Sequence, residues 1–117
     1  MKHRHGNRIL SRVASDRKQL LQNLSSALLL HGSIVTEKAK AKELRRFLEP
    51  LVTKAKGEMT LHRQRILRSQ LINKSDFQRL VTVAETNKNR PGGYLRLTAL
   101  PLRLSDGAQR VRVDILS

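Results

Sequence analysis

Tyr94-Leu95-Arg96-Leu97-Thr98-Ala99-Leu100 alternates, with Leu95 and Leu97 on one side of an extended chain and Arg96 and Thr98 on the other. Successive side chains of a strand point to opposite faces, so the run reads as a half-buried strand. Val111, Val113 and Ile115 repeat the pattern against Arg110, Arg112 and Asp114, and Ser105-Asp106-Gly107 between the two runs is a hairpin signal. Pro101 has no N–H for a ladder, which permits only an edge or bulged strand there. A two-stranded ribbon is marginal alone. The short β-branched run Ser33-Ile34-Val35-Thr36 is therefore expected to join it as a third strand.

The rest of the body has a helical period. A first helix is expected from Ser15, as its N-cap, to His31, with Asp16 in the first turn. Leu20, Leu21, Leu24, Ala27, Leu28 and His31 form its inward face, Gln19, Gln22, Asn23 and Ser26 lie away from it, and Gly32 stops it. With Thr36 as cap, a second helix runs from about Glu37 to Lys56 on the stripe Ala41, Leu44, Phe47, Leu48, Leu51, Val52 and Ala55. Pro50 lies inside it and predicts a kink, and Gly57 ends it. Thr60 caps a third helix to about Leu71, and Ser75 or Asp76 a fourth with Phe77, Leu80, Val81 and Ala84 inward. Asn87–Gly93 is a loop of turn formers. The expected fold is α+β: about four helices, a small three-stranded sheet made of one short strand plus a C-terminal hairpin, and a basic N-terminal arm at residues 1–14 before a single domain at 15–117.

Charge narrows the function. The 117 residues carry 24 Lys and Arg against nine Asp and Glu, a formal net charge of +15. Such an imbalance repels itself in the free protein and suits nucleic acid or an anionic surface. Residues 1–18 hold six of the cations and few large apolar side chains, so this segment needs a partner to order it. With no Cys, disulfides, thiolate metal sites and Cys nucleophiles are excluded. No window approaches the roughly 18–20 apolar residues of a membrane span, and a cytoplasmic location is expected. Phe47, Phe77 and Tyr94 are the only aromatic residues, too few for a stacking platform. Recognition should therefore rest on phosphates, ribose hydroxyls and RNA shape.

Several short runs, taken in order, carry a resemblance: Met1-Lys2-His3-Arg4 followed by Gly6 and Arg8; Arg17-Lys18 before Leu24; His31 and Ile34-Val35-Thr36; Ala41-Lys42-Glu43-Leu44-Arg45; Glu49-Pro50-Leu51; and Arg90-Pro91-Gly92-Gly93-Tyr94-Leu95-Arg96. In this order and spacing the chain resembles the bacterial large-subunit ribosomal protein seventeen family over nearly its whole length. It departs at Lys2, where Arg is usual, at Asp16, where His is usual, and at Lys38-Ala39, which replaces a Pro; from Gly57 to Lys88 only the pattern matches. The resemblance implies a structural protein that binds large-subunit rRNA and touches neighbouring ribosomal proteins. It implies no catalysis, cofactor, membrane or small-molecule substrate.

On that reading, Lys2, Arg4, Arg8, Arg12, Arg17 and Lys18 are expected to contact RNA, Lys as a point charge and Arg as a planar fork, with His3 and His5 adding hydrogen bonds. A solubilising tail is the other reading of the arm. Arg90, Tyr94 and Arg96 form a second candidate, with Tyr94 either stacking on a base or closing the core. A third is the helix face bearing Lys38, Lys42, Arg45 and Arg46, which either tracks a phosphate backbone or is merely solvated. The four His residues show no metal-ligand spacing, and no acid–base or nucleophile set stands out. A DNA-binding nucleoid or regulatory protein is the alternative, although no helix-turn-helix pairing is evident.

Overall fold

Strand β3 (Arg110–Ile115) is the centre of an antiparallel sheet ordered β1-β3-β2, with β1 (Ser33–Glu37) on one side and β2 (Leu95–Ala99) on the other. The computed structural model describes residues 10 and 13–116. Among them, α1 (Ala14–His31), α2 (Lys38–Lys56), α3 (Leu61–Ser69) and α4 (Lys74–Thr86) complete the expected α+β body. The third strand does come from the β-branched run: Ile34 pairs with Val113, and Val113 in turn with Leu97. Alternation then places Val111 and Val113 in the core and leaves Val35, Arg96 and Arg112 exposed.

Helix α2 is the hub. It touches all the other helices and all three strands. Ala41, Leu44, Leu48 and Val52 follow the 3–4 spacing and are fully buried. Each Leu removed from water contributes about 1.5–3 kcal/mol. The helix continues through Pro50, which is exposed, and Lys56 is its last residue. Gly57 then donates to the Lys54 carbonyl at 3.3 Å.

The start of the first helix differs from expectation. Val13 is the N-cap and makes no side-chain cap bond; Ser15 lies inside the first turn. Its other end is as predicted: Gly32 adopts φ 79°, open to a residue without Cβ, and donates to the Leu28 carbonyl at 2.7 Å. The buried line of α1 is Ser25, Leu28 and Leu29, whereas His31 is exposed and Ala27 only half-buried. The supposed polar side is also packed. Ser26 donates to Asp76 at 3.3 Å, and Gln22 donates to the Gln70 carbonyl at 3.3 Å.

Other helix ends differ for similar reasons. Thr36 belongs to β1, and Glu37 is the N-cap of α2. Thr60 does cap α3, accepting from the Arg63 N–H at 3.2 Å, but the helix ends at Ser69 rather than near Leu71. Asn73, not Ser75 or Asp76, is the N-cap of α4; Asp76 reaches back to accept from the Asn73 N–H at 3.3 Å. The hairpin tip is longer than a two-residue turn. Arg103 donates to both Asp106 oxygens at 2.9 Å, and Asp106 also accepts from the Ala108 N–H at 3.1 Å. The guanidinium first, and the Ala108 N–H second, hold the Asp106 carboxyl below the usual carboxylate range.

Candidate nucleic-acid interface

Lys38, Lys42 and Arg45 are spaced four and three residues apart, so the turn of α2 brings them to one side. They edge a groove of about 370 Å³ between α2 and the open end of the sheet. Leu97, Ala99, Leu100, Leu102 and Val111 supply its apolar lining, and Gln109 and Arg110 its remaining polar residues. The Lys38 N–H donates to the Gln109 carbonyl at 3.1 Å, which ties the start of α2 to the hairpin and sets the width at that end.

Ion pairing separates these cations from their neighbours. Lys40 pairs with Glu37 at 3.9 Å and Arg46 with Glu43 at 3.8 Å, each one helical turn away. Among the described residues, Lys38, Lys42 and Arg45 form no ion pair. Three charges on one side with no carboxylate partner leave a field that an anion can satisfy. Arg46, read from the sequence alongside them, is outside the groove; it borders one depression with Leu21, Glu43 and Phe47 and a second with Lys42, Glu43 and Arg45.

The Arg90–Arg96 loop is organised by its own protein. Glu49 accepts from the Gly93 N–H at 3.0 Å and from the Tyr94 N–H at 3.4 Å. Gly93 takes φ 65°, which a residue without Cβ tolerates. Tyr94 is only 1% exposed, and its hydroxyl meets Thr53 at 3.1 Å and the Lys56 ammonium at 3.0 Å. Lys56 also donates to the Arg90 carbonyl. The stacking role expected for Tyr94 does not fit this geometry, because its ring closes the core under the loop. Arg96 is exposed on β2, opposite Asp114, and Arg90 is half-buried.

In the first turn of α1, Lys18 is exposed and Arg17 half-buried, its N–H donating to the Val13 carbonyl at 2.9 Å. The expected contacts of Lys2, His3, Arg4, His5, Arg8 and Arg12 lie outside the described residues. Two further cations carry no distinguishing signal in the sequence. Arg110 borders the groove, and Arg112 stands on the outer sheet face, paired with Asp114 at 3.2 Å. Only the β1–β3 register carries Arg110 to the start of α2, where it sits opposite Glu37. Among the described residues, no group of three or more His, Cys, Asp and Glu is placed to hold a metal ion, and no helix is long and apolar enough to cross a membrane.

Residues 20–116 match the family profile described as ribosomal protein L17. The chain belongs to the ribosomal protein L17 family. Its curated relatives in that family include proteins named large ribosomal subunit protein bL17. The one from Amoebophilus asiaticus is 43% identical over 116 residues, covering 97% of this chain and 59% of the relative. That from Salinibacter ruber is 40% identical over 116 residues, covering 99% and 59%. The Gemmatimonas aurantiaca relative is 38% identical over 117 residues, covering 99% and 98%. The chain thus spans 59% of the length of the first two L17 relatives and nearly all of the third.

Proposed function

We propose that this protein is a structural, non-catalytic constituent of the large ribosomal subunit, acting in the cytoplasm, where it binds rRNA and touches neighbouring ribosomal proteins. The observation that carries the reading, beside family membership, is the run of Lys38, Lys42 and Arg45 left without carboxylate partners on one side of α2. Polyanionic RNA meets such a surface by releasing counterions. The cations Lys2, Arg4, Arg8, Arg12, Arg17 and Lys18, with His3 and His5, add the same chemistry in the first eighteen residues. Arg90 and Arg96 add charge beside the Gly-Gly loop.

The test is whether the tagged protein co-sediments with large-subunit particles and protects defined rRNA nucleotides from chemical probing. Comigration with protection is expected. A protein that stays at the top of the gradient while the particles sediment overturns the reading.

A further inference from the structure

We propose that the groove between α2 and the open end of the sheet is a slot for one unstacked RNA nucleotide, with its base on the apolar lining and its phosphate on Lys38, Lys42 and Arg45. The inference rests on the rRNA-binding reading above. Four cations and no carboxylate line the groove. By contrast, the depression beside Phe47 includes Glu43, and the one beside Phe77 includes Glu85. A carboxylate repels phosphate, so charge favours this groove for RNA.

The lining argues for a base rather than a phosphate alone. Leu97, Ala99, Leu100 and Leu102 present aliphatic surface, and Leu102 is largely exposed. A base has an apolar face and a polar edge. Its face would cover those side chains, aliphatic surface serving where aromatic rings are scarce. Its edge would meet Gln109 and Arg110. Arg110 donates through Nη2 to the Pro101 carbonyl at 3.4 Å, while its buried Nε–H has no acceptor among the described residues. An oxygen of the incoming nucleotide would satisfy that donor. The volume of about 370 Å³ lies within the roughly 300–1,000 Å³ of small-ligand sites. A paired A-form helix can touch the cations with its phosphates, but its bases are stacked and cannot enter.

The experiment titrates the full chain with single-stranded oligouridine and with a paired RNA duplex, comparing it with Ala99→Trp, which fills the lining and keeps every cation. Ala99 is exposed, so the substitution leaves the core intact. We expect Ala99→Trp to weaken oligouridine binding about tenfold, the effect of losing one stacked base, and to leave duplex binding and the salt slope unchanged. Methyl resonances of Leu97 and Leu102 should shift with oligouridine and not with duplex. Leu102→Gln, uncharged and at an exposed site, should reproduce the selective loss if the Trp variant folds poorly. Unmoved methyls and unchanged oligouridine affinity, with both RNAs still bound, overturn the slot and leave the rRNA reading standing. Failure of the unsubstituted protein to bind either RNA overturns both. Methyl shifts induced only by an acidic, leucine-containing peptide overturn the slot in favour of a protein partner.

Discussion

Lys56 grips Tyr94 twice: its ammonium lies 5.0 Å from the ring centre and donates to the hydroxyl at 3.0 Å. The hydrogen bond from Lys56 first, and that from Thr53 second, lower the phenol pKa below its ordinary 10.0. Tyr94 is the only Tyr and there is no Trp, so phenolate absorbance reports this group alone. Alkaline titration of the folded protein should give phenolate at lower pH than titration in denaturant. Between the folded and unfolded pKa values the unfolded chain holds more protons, so this group's contribution to stability grows with pH. It is lost as pH falls through the folded pKa. Lys56→Met should move the folded titration back up.

Asp76 is fully buried and accepts from Ser26, from the Asn73 N–H and from Arg79 at 3.4 Å. Asp76→Ala therefore strips a cap from α4 and a link to α1 at once. Urea unfolding should show a loss of about 2–3 kcal/mol, with Ser26→Ala costing about 1 kcal/mol.

Ser25 is buried, and its hydroxyl has no partner among the described residues. An orphan hydroxyl in a core is a cost that its removal relieves. Ser25→Ala should raise the urea midpoint, with a gain of up to about 1 kcal/mol. Leu28→Ala, one turn later and fully buried, should cost about 2.7–5 kcal/mol. Leu30→Ala, at a residue 55% exposed, should stay within about 0.5 kcal/mol of the starting protein.

Replacing Lys38, Lys42 and Arg45 together with Ala should leave stability within about 0.5 kcal/mol. It should flatten the dependence of log affinity for single-stranded RNA on log salt, by roughly 0.7 for each phosphate no longer neutralised. Arg4→Ala, Arg8→Ala and Arg12→Ala combined should flatten it by a similar amount. The measurement is filter binding across a salt series, with duplex DNA as competitor; DNA displacing RNA at equal concentration contradicts an RNA preference.

The parts of the fold that sequence reveals are those with one dominant period. Helix α2 shows its buried stripe plainly because Leu44, Leu48 and Val52 recur against a charged background, and β3 shows strict alternation. Helix α1 is harder: it is nearly as apolar on one side as another, and its polar residues are consumed in packing. Ser26 and Gln22 resemble solvent-facing residues until Asp76 and the Gln70 carbonyl arrive from about fifty positions away in the chain. The cap of α4 falls at Asn73 because the Asp76 carboxylate reaches back along the helix to its N–H, whereas Val13 caps α1 with no side-chain bond to mark it in the sequence. At the candidate interface, the spacing of Lys38, Lys42 and Arg45 was legible. The groove they border was not, since its lining comes from β2 and the hairpin, which reach α2 only through the sheet. Tyr94 is open to two readings until Glu49, Thr53 and Lys56 are seen around it.

Because β3 separates β1 from β2, neither outer strand has a ladder partner until Arg110–Ile115 arrives. During synthesis the helices can gather early, but Ser33–Glu37 waits for Arg110–Ile115 across more than seventy intervening positions. Closing so distant a pairing is slow compared with forming local helices. The nascent protein should consequently pass through a helical state with two open strand edges, vulnerable to aggregation until Arg110–Ile115 emerges.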